Sequence, residues 1–208
     1  MHIRKALILA LALAGLALTV SACGGGSGTP GGATPMATSA SNGVATYNNA
    51  KYGFRMTYDK VFTEGPSSIG SAGGSGPDFT IAFADTKGTT VGGSYEDGVK
   101  VSVGKLASAI KPSQVPALKK QFEASVKQLV ANLSSGKIVV PVRPVSVGGA
   151  RGYAVGYLFS EGSTRFMAMT YFLIKGANEY QVTGQASQQT WSALQPKLEA
   201  AMDSFTVK

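Results

Sequence analysis

The sequence predicts an α+β fold: an antiparallel sheet with a helix packed on each face, an α-β-α sandwich. Two observations carry this. Most of the chain beyond residue 43 alternates apolar and polar residues with period two, the signature of strands with one solvated face. Two segments switch to the helical period, one near the middle and one at the end, so the strands fall before and between helices.

The strands follow in order. Phe54, Met56 and Tyr58 alternate with Arg55 and Thr57. Phe79, Ile81 and Phe83 make a second run, separated from the first by the glycine-rich loop Gly65–Pro77. Val99, Val101 and Val103 alternate with Lys100 and Ser102. A stripe of Val115, Leu118, Phe122, Val126, Leu129 and Leu133 then predicts the first helix, with Ser113 as N-cap, Pro116 in the tolerant first turn and Gly136 at the stop. Residues 138–147 read as extended, but Pro141 and Pro144 offer no ladder donors and push this strand to an edge. Tyr153, Val155, Tyr157 and Phe159 share one strand face. Residues 166–174 are apolar on both faces, which places them at the centre of the sheet. Gly176-Ala177-Asn178 turns the chain into a strand over 180–187. The second helix carries Trp191, Leu194, Leu198, Met202 and Phe205, with a late start or a kink expected at Pro196.

The N-terminus is built differently. Arg4 and Lys5 precede an apolar run from Ala6 to Val20, too short to span a bilayer as a helix. Val20-Ser21-Ala22-Cys23 resembles the lipobox of bacterial lipoproteins, in which the cysteine is lipidated and becomes the first mature residue. The implied organisation is a signal peptide over 1–22, a Gly/Ser/Thr/Pro tether over 23–42 and a single domain over 43–208. An uncharged tether of this composition has a typical reach of roughly 25 Å. The resemblance implies attachment to the extracytoplasmic face of a cell membrane through acyl chains on Cys23, palmitate among them. Gly24 in place of aspartate leaves an outer membrane open as the destination in a two-membrane host.

Composition bounds the chemistry. Cys23 is the one cysteine and His2 the one histidine, and His2 is lost with the leader. The mature chain then has no imidazole for a Ser-His-Asp triad and no histidine or thiolate for zinc. No cofactor is expected. Lys and Arg total 19 against 11 for Asp and Glu, a formal +8 that falls to +6 when Arg4 and Lys5 leave. The lysines are dispersed and not interleaved with aromatics, so nucleic acid is not the expected partner.

The remaining candidate sites are weak. Gly65–Pro77 has the glycines of a phosphate loop but no lysine and no following helix. Asp85 and Glu96 bound a twelve-residue window, yet Lys87 and Thr90 occupy its third and sixth positions, which excludes an EF-hand. Asp85, Glu96 and Asp97 remain as a loose cation site. Ser102 with Lys105 and Ser108 with Lys111 fit Ser-x-x-Lys, without the supporting Ser-Asp-Asn. Asp59, Glu64 and Asp78 are the carboxylates for a paired-acid hydrolase. On the first helix Lys120 and Lys127 form a solvated or partner-facing patch, with Glu123 spaced to pair with either. Tyr153, Tyr157, Tyr171 and Tyr180 line either a core or a ligand pocket.

Tyr47-Asn48-Asn49, followed by Tyr52-Gly53-Phe54-Arg55-Met56-Thr57-Tyr58, resembles the opening hairpin of PsbP-like domains. Asp59 and Phe62 stand where many members carry proline and tryptophan. Asn178-Glu179-Tyr180-Gln181-Val182 resembles the late strand, and Asp203-Ser204-Phe205 the end of the last helix. The resemblance implies an α-β-α sandwich and a binding or assembly role without catalysis, and it transfers no functional residue. The expectation is a membrane-anchored, non-catalytic module that binds an envelope protein. The alternatives are a carrier or sensor of a small apolar ligand or lipid, and a hydrolase using carboxylates or a Ser/Lys pair.

Overall fold

Antiparallel pairing organises the computed structural model, which describes residues 43–65 and 77–208. Strands β1 (Val44–Asn49), β2 (Phe54–Asp59) and β3 (Phe62–Glu64) come first. Then follow β4 (Phe79–Asp85), the short β5 (Thr90–Val91) and β6 (Ser94–Tyr95), and β7 (Gly98–Ile110). A 3-10 segment (Pro112–Leu118) leads into α1 (Lys119–Ala131). After it come β8 (Lys137–Val147), β9 (Ala150–Glu161), β10 (Thr164–Ser187), α2 (Trp191–Asp203) and β11 (Thr206–Val207).

The main sheet runs β3-β4-β7-β10-β9-β8, and β8 is its edge, as its prolines require. β10 occupies the centre by folding back on itself. Thr170 Oγ1 and Thr183 Oγ1 lie 3.0 Å apart, and Gln188 N–H donates to the Arg165 carbonyl. Thirteen extended residues would cover about 43 Å, so the element must reverse. Gly176, with φ +61°, makes that reversal with Ala177. The arm 164–174 pairs with β9 and the arm 178–185 with β7.

Successive residues on β9 enter different clusters. Tyr153, Val155, Tyr157 and Phe159 pack with Phe122, Val126 and Val130 of α1. Ala154 packs with Leu194, Leu198 and Met202 of α2, together with Met169, Tyr171 and Leu173 of β10. This second cluster also contains Phe54, Tyr180 and Phe205, whose rings meet at 5.4 to 6.2 Å. Burying each such ring contributes roughly 1.5–3 kcal/mol before entropy is subtracted.

Several details differ from expectation. Residues 54–59 do not join the main sheet; they form a separate sheet of order β1-β2-β11. The first helix begins as a 3-10 segment because Pro112 and Pro116, four apart, both lack N–H donors. Its cap is Lys111 and not Ser113, with the Lys111 N–H donating to Gln114 Oε1. At its end Ser135 takes the left-handed conformation, φ 53°, while Gly136 is needed for close approach to the Val130 carbonyl. α2 starts at Trp191 and runs through Pro196. Ser192 and Pro196 are exposed, so the carbonyl that Pro196 leaves without its helical donor lies on the solvent side of the helix. Phe205 lies beyond this helix.

Candidate functional site

α1 lies against β8 and β9, which leaves the rest of that sheet face to other groups. Register assembles them in rows across β4, β7 and the second arm of β10. Thr80 stands beside Ser102 and Gln181, Ala82 beside Lys100 and Thr183, and Ala84 beside Gly98 and Gln185. Small residues surround one long lysine, giving a polar strip next to the aromatic layer under α1.

The strip is held by its own hydrogen bonds. Thr80 Oγ1 and Ser102 Oγ are 3.2 Å apart. Tyr157 Oη meets Thr170 Oγ1 at 3.3 Å, and Thr170 passes the chain on to Thr183. Gln185 Nε2 donates to the Glu96 carbonyl and to Glu96 Oε2, both at 3.2 Å. Two groups there titrate near neutrality. Burial pushes the Glu96 carboxyl up to about 7, with the Glu161 carboxylate adding to the effect. Burial likewise brings the Lys100 ammonium down to about 8, against the pull of Glu96. Perturbed values of this kind also mark active sites. Glu96 is only 1% exposed, however, and a carboxylate so enclosed offers no hydrogen-bond reach to a substrate.

Asp97 is a fastener. Its Oδ1 accepts the Ser187 N–H at 2.8 Å, and its Oδ2 accepts the Thr89 N–H, Thr89 Oγ1 and Thr190 Oγ1 at 2.9 to 3.0 Å. It thereby ties the β4–β7 connection to the start of α2. Asp85 Oδ1 accepts the Lys87 N–H. Asp85, Glu96 and Asp97 thus do separate structural work, and among the described residues no group of three acidic, histidine or cysteine side chains could hold a metal.

The other predicted residues are dispersed. Ser102 bonds a hydroxyl, and Lys105, three along the strand, faces the other way. Ser108 stands exposed where β7 bulges against Gly176 and Asn178. Asp59 pairs with Lys197 at 3.1 Å and sits below the usual carboxylate range, chiefly through the Val61 N–H. Asp78 Oδ2 accepts the Lys105 N–H, and Glu64 is exposed on β3. Glu123 pairs with Lys119 at 3.6 Å, not with Lys120 or Lys127.

The four tyrosines all bond to the protein itself. Tyr153 donates to the carbonyls of Val115 and Pro116, Tyr171 to Asp203 Oδ1, and Tyr180 to the Tyr52 carbonyl. Burial and the Asp203 carboxylate push the Tyr171 phenol up to about 12. Cys23 and residues 66–76 of the Gly65–Pro77 loop lie outside the described residues. Among those described, no helix is long and apolar enough to cross a membrane. Sequence reasoning missed Thr170, Thr183 and Gln185. The signal was the polar alternation of residues 181–185, which becomes a site only when set beside Lys100 and Ser102.

No known protein family matches the chain, and no curated protein does. Solved structures do. The solution structure of cyanobacterial PsbP (CyanoP) from Synechocystis matches with a TM-score of 0.54 and 12% identity, over 80% of this chain and 93% of that one. A crystal structure from Bacteroides thetaiotaomicron matches with a TM-score of 0.50 and 11% identity, over 78% of this chain and 48% of that one. LpqN, involved in cell envelope biogenesis of Mycobacterium tuberculosis, gives 0.45 and 16%, over 71% of this chain and 91% of that one. At such identities the likeness concerns architecture alone. In that architecture this chain has a PsbP-like fold.

Proposed function

We propose that this chain is a membrane-anchored, extracytoplasmic module that binds an envelope protein and performs no catalysis. In this reading residues 1–22 are a signal peptide, Cys23 carries acyl chains, residues 24–42 are the tether and 43–208 are one domain. The two helices serve as outer layers of an α-β-α sandwich, a reading supported by their separate hydrophobic clusters.

One observation carries the non-catalytic reading. The hydroxyls assembled on the sheet bond to one another: Ser102 to Thr80, Tyr157 to Thr170, and Thr170 to Thr183. A nucleophile needs a base as its partner, and a second hydroxyl is not one. The carrier alternative would use the aromatic layer under α1, but Tyr153 and Tyr157 already spend their hydroxyls on protein groups. Mass spectrometry of the purified protein tests it, a co-purifying apolar ligand being the outcome in its favour.

Crosslinking in intact cells followed by pull-down tests the main proposal. A specific envelope protein should be recovered. Recovery of none, under conditions that capture known neighbours, overturns it.

A further inference from the structure

Strand register gathers cations at one end of this domain. The Val207 N–H donates to the Gly148 carbonyl, the Lys208 N–H to Gly53, and Lys175 Nζ to Gly149. Ile110 pairs with Gly176, Lys105 with Asn178, and Arg151 with Ile174. The turns 50–53, 148–149 and 176–177 therefore share one end with residues 105–111. Lys51, Lys105, Lys111, Arg151, Lys175 and Lys208 gather there, and all but Lys175 are exposed. Asp78 and Glu179 are the carboxylates at this end, and each accepts a neutral donor, the Lys105 N–H and Gln181 Nε2.

The opposite end carries charges of both signs. The Lys60 N–H meets the Gly43 carbonyl, Phe62 pairs with Asp85, and the Asp85 N–H donates to Asp97. Glu161 closes the β9–β10 turn on the same side. Asp59, Asp85 and Glu161 stand there with Lys60, Lys87, Arg165 and Lys197, while Glu96 and Asp97 are buried. Strands of about ten residues hold the two ends about 35 Å apart.

We propose that the basic end is the docking surface, and that its occupant is an acidic surface of another envelope protein. This rests on the binding-module reading and adds to it the face and the partner's charge. Residues 24–42 join the domain at Gly43, at the end opposite these cations. A chain held through Cys23 is attached at that side, which leaves the basic end clear of the attachment. An anionic bilayer would take the basic end only if the domain turned over on its tether. Six cations from separate segments of the chain steer a negatively charged protein and fix its register.

Zero-length carbodiimide coupling in cells tests this, because it joins only carboxylates to amines. The mature full chain is compared with K51E/K111E and with K120E/K127E, which changes the charge equally on α1. All these side chains are exposed, and melting curves check that each variant folds. The expected result is coupling of Lys51, Lys105, Lys111, Lys175 or Lys208 to Asp or Glu of one protein. Its yield should fall about tenfold in K51E/K111E and hold in K120E/K127E. Partner links confined to other faces, or equal yields from both variants, overturn the docking end and leave the binding-module reading standing. Capture of no partner overturns that reading itself. Binding to phosphatidylglycerol vesicles that K51E/K111E abolishes would assign the basic end to a bilayer and overturn the proposal.

Discussion

Replacing Glu96 by glutamine should stabilise the domain at mildly alkaline pH and leave it unchanged in acid. The wild-type carboxyl is raised from 4.5 to about 7 in the folded state. Between those values the folded chain holds a proton that the unfolded chain releases, so stability falls as pH rises through the window and then levels. At 1.36 kcal/mol per pH unit the full loss is about 3 kcal/mol. Glutamine keeps the shape and the acceptor for Gln185 Nε2 without the charge. Lys100 trims the gain, because it loses the carboxylate that favours its ammonium. Urea unfolding of both proteins from pH 4.5 to 8 measures the effect. Their stabilities should coincide at the acid end and diverge by about 2–3 kcal/mol at pH 8, the variant above. Parallel curves, or a wild type that gains stability from pH 5 to 7 relative to the variant, would refute the reasoning.

Three further outcomes follow from particular contacts. Asp97→Ala removes the fully buried carboxylate that accepts from Thr89, Ser187 and Thr190. The loss should be about 4 kcal/mol, read as a fall of roughly 10 °C in Tm. Gly152→Ala sets a Cβ against the Phe172 carbonyl in mid-sheet and should abolish soluble expression, whereas Gly104→Ala meets nothing within 4 Å and should express normally. Ser102→Ala removes one hydroxyl contact with Thr80, so a complemented deletion strain should keep full cellular function; loss of function in a stably folded variant would revive the Ser/Lys reading.

The architecture was legible where one residue type decides a position. Pro141 and Pro144 put β8 at the edge, and the two-faced apolarity of 166–174 put that arm of β10 at the centre. Gly176 marked its reversal. Legibility failed where tertiary contacts choose between equal local options. Gln114, not Ser113, bonds the cap because the prolines convert the first turn to 3-10. Phe54, Met56 and Tyr58 alternate as any sheet strand would, and nothing local says that β2 pairs with β1 and β11 alone.

The candidate site was less legible still. Lys100 and Ser102 read as a solvated face on their own strand. They become a polar strip, buried at Ser102 and Thr183, only through pairing with Thr183 and Gln181, a long-range register that alternation does not encode. The gathering of cations at one end has the same origin. Lysines scattered from Lys51 to Lys208 look dispersed along the chain, and the turns bring them together.

The account stands on the chain being held at a membrane by Cys23. Metabolic labelling with an alkyne fatty acid, followed by fractionation of wild type and Cys23→Ser, measures this directly. The wild type should carry the label and stay in the membrane pellet through a high-salt wash, while the variant should be unlabelled and leave that pellet. An unlabelled wild type, or a Cys23→Ser variant that still resists the wash, would contradict it.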